Sequence, residues 1–122
     1  MRTTLLTLFI SFQSFGYVFL ETCYNNQRRG VSYSFESCIN RNFDRIEREI
    51  RGFYRYCSNH SREEVDYFYT RCIIDNFDEV RRGSPGSYLE TCFNASSSSL
   101  DFFFISCVNR NFDEIERRLM VP

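Results

Sequence analysis

The sequence predicts an all-α fold: three tandem disulfide-stapled helical hairpins packed as a small helical array. Two observations carry this. Six cysteines fall as three pairs of constant spacing, with Cys38, Cys72 and Cys107 each standing 15 positions after Cys23, Cys57 and Cys92, and the copies start 34 and 35 residues apart. Behind each first cysteine runs an apolar pattern of helical period. A gapless period of this length marks repeats in which each unit is one supersecondary piece that buries its apolar face against its neighbours. The period equals that of tetratricopeptide units, but their tryptophan, glycine and alanine signature is missing.

The first 16 residues read as a signal peptide. Met1 and Arg2 give a positive start, the run from Thr3 to Phe12 is apolar, and Ser14-Phe15-Gly16 supplies small residues before a cut after Gly16. The run is shorter than the roughly 20 residues of a spanning helix, and Gln13 and Ser14 interrupt it. Residues 17–122 then form one domain of three repeats, at about 19–52, 53–87 and 88–122. Removing the leader takes away Arg2 and leaves a net charge of −2, with no case for nucleic acid or for insertion into an anionic membrane.

Each unit opens with a short element that ends at its first cysteine: Phe19 to Cys23, Phe53 to Cys57, and Tyr88 to Cys92. The hairpin reading makes it a short helix, with Pro85 near the start of the third. A longer helix follows. Counted from the first cysteine, apolar residues recur at +8 (Val31, Val65, Leu100), +12 (Phe35, Tyr69, Phe104) and +16 (Ile39, Ile73, Val108). The stripe runs on through +20 (Phe43, Phe77, Phe112) and +23 (Ile46, Val80, Ile115). With the second cysteine these positions span an arc of about 140°, which fits an amphipathic helix and not a strand. Ser61 with Glu64 fits a capping box, and Ser96 to Ser99 supply caps in the third copy. On the far face Asp at +21 and Arg at +25 recur (Asp44 with Arg48, Asp78 with Arg82, Asp113 with Arg117), as solvated i,i+4 supports.

Six cysteines in a short secreted chain read as a disulfide framework. Zinc is disfavoured, because no Cys-x2-Cys pair exists and His60 is the sole histidine. Constant spacing favours Cys23–Cys38, Cys57–Cys72 and Cys92–Cys107. Two strictly antiparallel helices, however, would offset each such pair by roughly 10 Å, too far for the bond. Crossed helices or a folded-back loop answer that. The alternative pairs Cys38 with Cys57, Cys72 with Cys92 and Cys23 with Cys107.

Asn at +19 (Asn42, Asn76, Asn111) falls in the middle of the apolar stripe. Three readings stand: a buried amide bound to backbone of a neighbouring segment, the cap of a new helix, or a row of ligand contacts. Asn at +2 forms N-glycosylation acceptors at Asn59-His60-Ser61 and Asn94-Ala95-Ser96, whereas Asn25-Asn26-Gln27 lacks the motif. Aromatic content is high, with 11 Phe and 8 Tyr left after the leader. Beyond the stripe, Tyr33, Tyr67 and Phe102 at +10, with Phe68 and Phe103 at +11, read either as packing between stacked units or as a row contacting a partner.

Catalysis has no convincing residue set: no Cys/His or Ser/His/Asp combination assembles, and no Gly-rich loop cradles a phosphate. No enzyme, metal or cofactor is expected. The expectation is a secreted, disulfide-bonded, glycosylated helical-repeat protein that binds an extracellular protein. The alternatives are a secreted effector, as in venom, saliva or defence, acting on a receptor or channel, and a carrier of a small apolar ligand between helices. All 15 basic residues are arginine, for which the sequence offers no physical reason.

Overall fold

The computed structural model describes residues 18–120. The signal-peptide segment 1–16 lies outside them. Among the described residues three helices stand in chain order, one per repeat: α1 (Tyr33–Glu49), α2 (Tyr67–Gly83) and α3 (Phe102–Met120). The three disulfides are those of constant spacing, Cys23–Cys38, Cys57–Cys72 and Cys92–Cys107, with Cα atoms 5.6 to 5.7 Å apart. The all-α class and the three stapled units therefore stand. Each staple closes a loop of 15 residues, and such a loop contributes about 3 kcal/mol in the chain-entropy picture.

The segment before each first cysteine is extended, not a short helix. Five residues are too few to sustain a helix unaided. The extended form also removes the 10 Å difficulty. Two residues of extended chain rise about 6.6 Å and four residues of helix about 6 Å, so one advances beside the other in step. The first cysteine meets +15 of its helix, and the residue two before it meets +19. The unit is a hairpin of one extended arm and one helix.

An extended arm outside a sheet has backbone groups to satisfy. Asn at +19 satisfies them. Asn42 accepts from the Glu21 amide (2.8 Å) and donates to the Glu21 carbonyl (2.8 Å). Asn76 does the same at Arg55 (2.9 and 2.8 Å), and Asn111 at Glu90 (2.8 and 2.9 Å). A carboxamide carries one acceptor and a donor side by side, so it stands in for the peptide of a neighbouring strand. All three amides are buried inside unbroken helices, which excludes the helix-cap and ligand-row readings.

The same device joins one unit to the next. Asn40, at +17 of α1, accepts from the Cys57 amide and donates to its carbonyl, both at 2.8 Å. Asn109, at +17 of α3, holds Cys23 in the same way (2.9 and 2.8 Å), and Glu116 accepts from the Leu20 amide. Copy three thus grips copy one. The three units therefore close into a ring, the first arm being held by the third helix. Ile74 stands where a third such amide would be, and Arg81 holds that seam by donating to the Leu89 and Glu90 carbonyls (2.9 and 3.1 Å).

On the axis Phe43, Phe77 and Phe112 meet as a triangle with centroid separations of 5.1 to 5.2 Å. Their tilted and edge-on contacts are the favoured aromatic geometry. The +12, +16 and +23 residues are buried in every copy, so the apolar stripe is the core as expected. At the end of the ring where the helices begin, the loops interlock: Gly30 donates to the Ser98 carbonyl and Val65 to that of Ser97, both at 2.8 Å. Gly30 adopts φ +70°, and a Cβ there would stand 2.4 Å from the Arg62 carbonyl oxygen, so this contact requires glycine.

Helix starts and surface pairs differ from expectation. Each helix begins at +10, after the residues read as its first turn. Ser32 caps α1 by accepting from Phe35, whereas Asp66 precedes α2 without a side-chain cap. Its carboxylate instead accepts from the His60 amide (2.5 Å). Ser96 accepts from Ser98 and Ser99 within the loop. Arg82 and Arg117 pair with Glu79 and Glu114 at i,i+3, not with Asp78 and Asp113. The arginines thus turn to the nearer glutamates.

Candidate functional site: exposed rings on a fixed ring of helices

Closing the ring decides which aromatics are core. Every helix packs through the same stripe, so the opposite side of its first turn faces away from both neighbours. Tyr33, Tyr67, Phe102, Phe68 and Phe103 are all there, between 69 and 81% exposed, so packing between units does not account for them. Tyr67 contacts Phe68, and Phe102 contacts Phe103, edge-on at 5.7 and 5.9 Å. Each pair is thus an adjacent couple at a helix start, carried on a disulfide-fixed unit.

A second exposed set escaped the sequence reading. Phe19, Phe53 and Tyr88 occupy −4 in the three copies, and all are exposed where the arm enters beside the far end of its helix. Tyr24 and Phe93, both at +1, and Tyr56, at −1, are exposed as well. The signal was available: position −4 is aromatic in all copies. Reading the arm as a short helix concealed it.

Between these rings the surface is polar and paired. Glu21 receives Arg41 (2.8 Å) and Arg45 (2.9 Å), Glu90 receives Arg110 (2.7 Å), and Arg55 meets Asp75 (2.6 Å). The Arg41 hydrogen bond, aided by Arg45, pulls the Glu21 carboxyl down to about 2. Arg110 lowers Glu90, and Arg82 together with the Phe53 amide lowers Glu79. Burial raises the Tyr54 phenol to about 12 and raises that of Tyr69 further still. Both hydroxyls lack a hydrogen-bond partner among the described residues. An open cleft is lined by Glu47, Arg51, Gly52, Phe53 and Glu79.

The amides of the two glycosylation motifs are occupied within their own loops. Asn59 donates to the carbonyls of Ser61 (2.7 Å) and Glu64 (2.9 Å) and accepts from the Asp66 amide (2.7 Å). Asn94 repeats this with Ser96, Ser99 and Asp101, and Asn25 with Gln27, Gly30 and Ser32. Asn25 lacks the acceptor motif yet makes the same three bonds, so loop closure alone explains asparagine at this position. A glycan on Nδ2 would replace one of the two donated hydrogens.

All six cysteines are in disulfides, and the described residues contain no group of three or more His, Cys, Asp or Glu placed to hold a metal. No described helix is long and apolar enough to cross a membrane. Three disulfides are consistent with an extracellular protein. Comparison of the chain with protein-family models, with curated proteins and with solved structures finds no match.

Proposed function

We propose that this chain is a secreted binding protein that engages an extracellular protein through its exposed aromatic side chains. One observation carries the reading: positions −4 and +10 are aromatic and exposed in all three copies, outside the buried stripe that forms the core. Neighbouring exposed positions drifted, +11 being Ser34, Phe68 and Phe103. Exposed tyrosine and phenylalanine on rigid supports supply large contact area at little entropic cost, as interface anchors do. A secreted effector acting on a receptor or channel is the same binding reading with the recipient specified. A carrier for an apolar molecule has less support, because the three phenylalanines fill the axis.

The test is a variant with Tyr33, Tyr67, Phe68, Phe102 and Phe103 all replaced by serine. Labelled wild type and variant are compared for saturable binding to intact cells and to an array of extracellular domains. Wild type is expected to bind and the variant to lose binding with its thermal midpoint little changed, because these rings lie outside the core. Equal binding by the two proteins, or no saturable binding by wild type, overturns the proposal. Intact mass before and after glycosidase treatment reports separately on Asn59 and Asn94.

A further inference from the structure

Each arm lies between two helices, its own and that of the preceding unit, so two half-cystine partners compete for it. The +19 Asn contacts cannot tell them apart, because asparagine stands there in every copy. Chain spacing discriminates weakly too. The native loops span 15 residues and the cross-repeat pairs Cys38–Cys57 and Cys72–Cys92 span 19 and 20, while closure entropy grows only logarithmically.

What differs is charge. Glu21 faces Arg41 and Glu90 faces Arg110, but in the middle copy the pair is inverted, with Arg55 facing Asp75. Placing arm two on α1 would set Arg55 against Arg41 and Arg45. Placing arm three on α2 would set Glu90 against Asp75 and Glu79, two carboxylates against the single Arg71 that pairs with Asp75 (3.2 Å). Both adjacent mispairings meet like charges. Arms one and three carry the same sign, but exchanging them requires Cys38 to reach Cys92 or Cys23 to reach Cys107, across 54 or 84 residues. Loop length opposes those pairings. A sign alternating along three units is therefore needed only between neighbours, where spacing fails.

We propose that this alternating charge is a pairing code that directs each arm, and with it each half-cystine, to its own helix during oxidative folding. Each bond forms as two cysteine thiols give up two protons and two electrons to a small-molecule disulfide such as oxidised glutathione, which leaves as two thiols. The code acts on the noncovalent docking that precedes this exchange.

The test refolds the full chain from the reduced, denatured state in a glutathione buffer, with trapping by acid and peptide mapping of early species. In Arg55→Glu/Asp75→Arg the middle pair is kept but its sign matches its neighbours. Species holding Cys38–Cys57 or Cys72–Cys92 are expected to rise roughly two- to fivefold, the range set by exposed ion pairs. The natively paired fraction should keep its wild-type circular dichroism. Arg55→Glu alone attracts arm two to α1 and repels it from α2, so Cys38–Cys57 should rise more than Cys72–Cys92. A distribution unchanged from wild type in the double variant, or no such bias in the single one, overturns the code.

Discussion

Replacing Asn76 by alanine removes the two hydrogen bonds its carboxamide makes with the middle arm, from the Arg55 amide and to the Arg55 carbonyl. Leaving a buried polar group unmade costs about 1–3 kcal/mol. Arg55 lies on a partly solvated arm, so the lower part of that range applies to each group. Asn76 itself is buried, and the void left by its truncation adds about 1 kcal/mol. The expected loss is about 3 kcal/mol, which for a domain of this size lowers the midpoint by roughly 12–24 °C. Thermal and urea unfolding followed by far-ultraviolet circular dichroism, with disulfides intact, measures it. Asn26→Ala, an exposed loop position, serves as the reference and should shift little. A loss for Asn76→Ala below about 1 kcal/mol would refute the argument that side-chain amides replace strand pairing for the arms.

Tyr69→Phe removes a buried hydroxyl that has no partner and installs the ring type found at Phe35 and Phe104, so it should stabilise by about 1 kcal/mol in the same denaturation assay. Ile74→Asn supplies the amide that Asn40 and Asn109 provide at the other two seams, and a gain of about 1 kcal/mol is expected, whereas a loss would show that Arg81 already fills that role. Acid titration tests the carboxylates. Glu21, Glu79 and Glu90 have folded pKa values below the ordinary 4.5, Glu21 reaching about 2. The unfolded chain therefore binds more protons in this window, so their contribution is complete above about pH 4.5 and declines toward pH 2. Urea midpoints should be flat from neutral pH down to that point and fall below it, and Glu21→Gln should flatten the fall.

The apolar stripe was legible because a helix records its buried face as a local period, and position by position Phe43, Ile46 and their equivalents obey it. Cysteine pairing was legible from constant spacing. The arm was not, since five residues such as Phe19 to Cys23 carry too little periodicity to separate helix from extended chain. Its conformation is set by partners distant in sequence, such as Asn42 and Asn109. The burial of the +19 asparagines could be anticipated, but what they bind depends on that arm.

The aromatics at +10 and +11 show the same division. Composition and spacing identified Tyr33, Tyr67 and Phe102 as recurrent but favoured packing between units, whereas the structure leaves them exposed. Only the closed ring separates them, because it sets which side of each helix meets a neighbour. What the chain determines alone is whatever repeats within one unit: a helix and a staple. Whether the units stack in a line or close on an axis depends on the angle between them. That angle is a sum of contacts such as Asn109 with Cys23, across 86 residues, that no local pattern records.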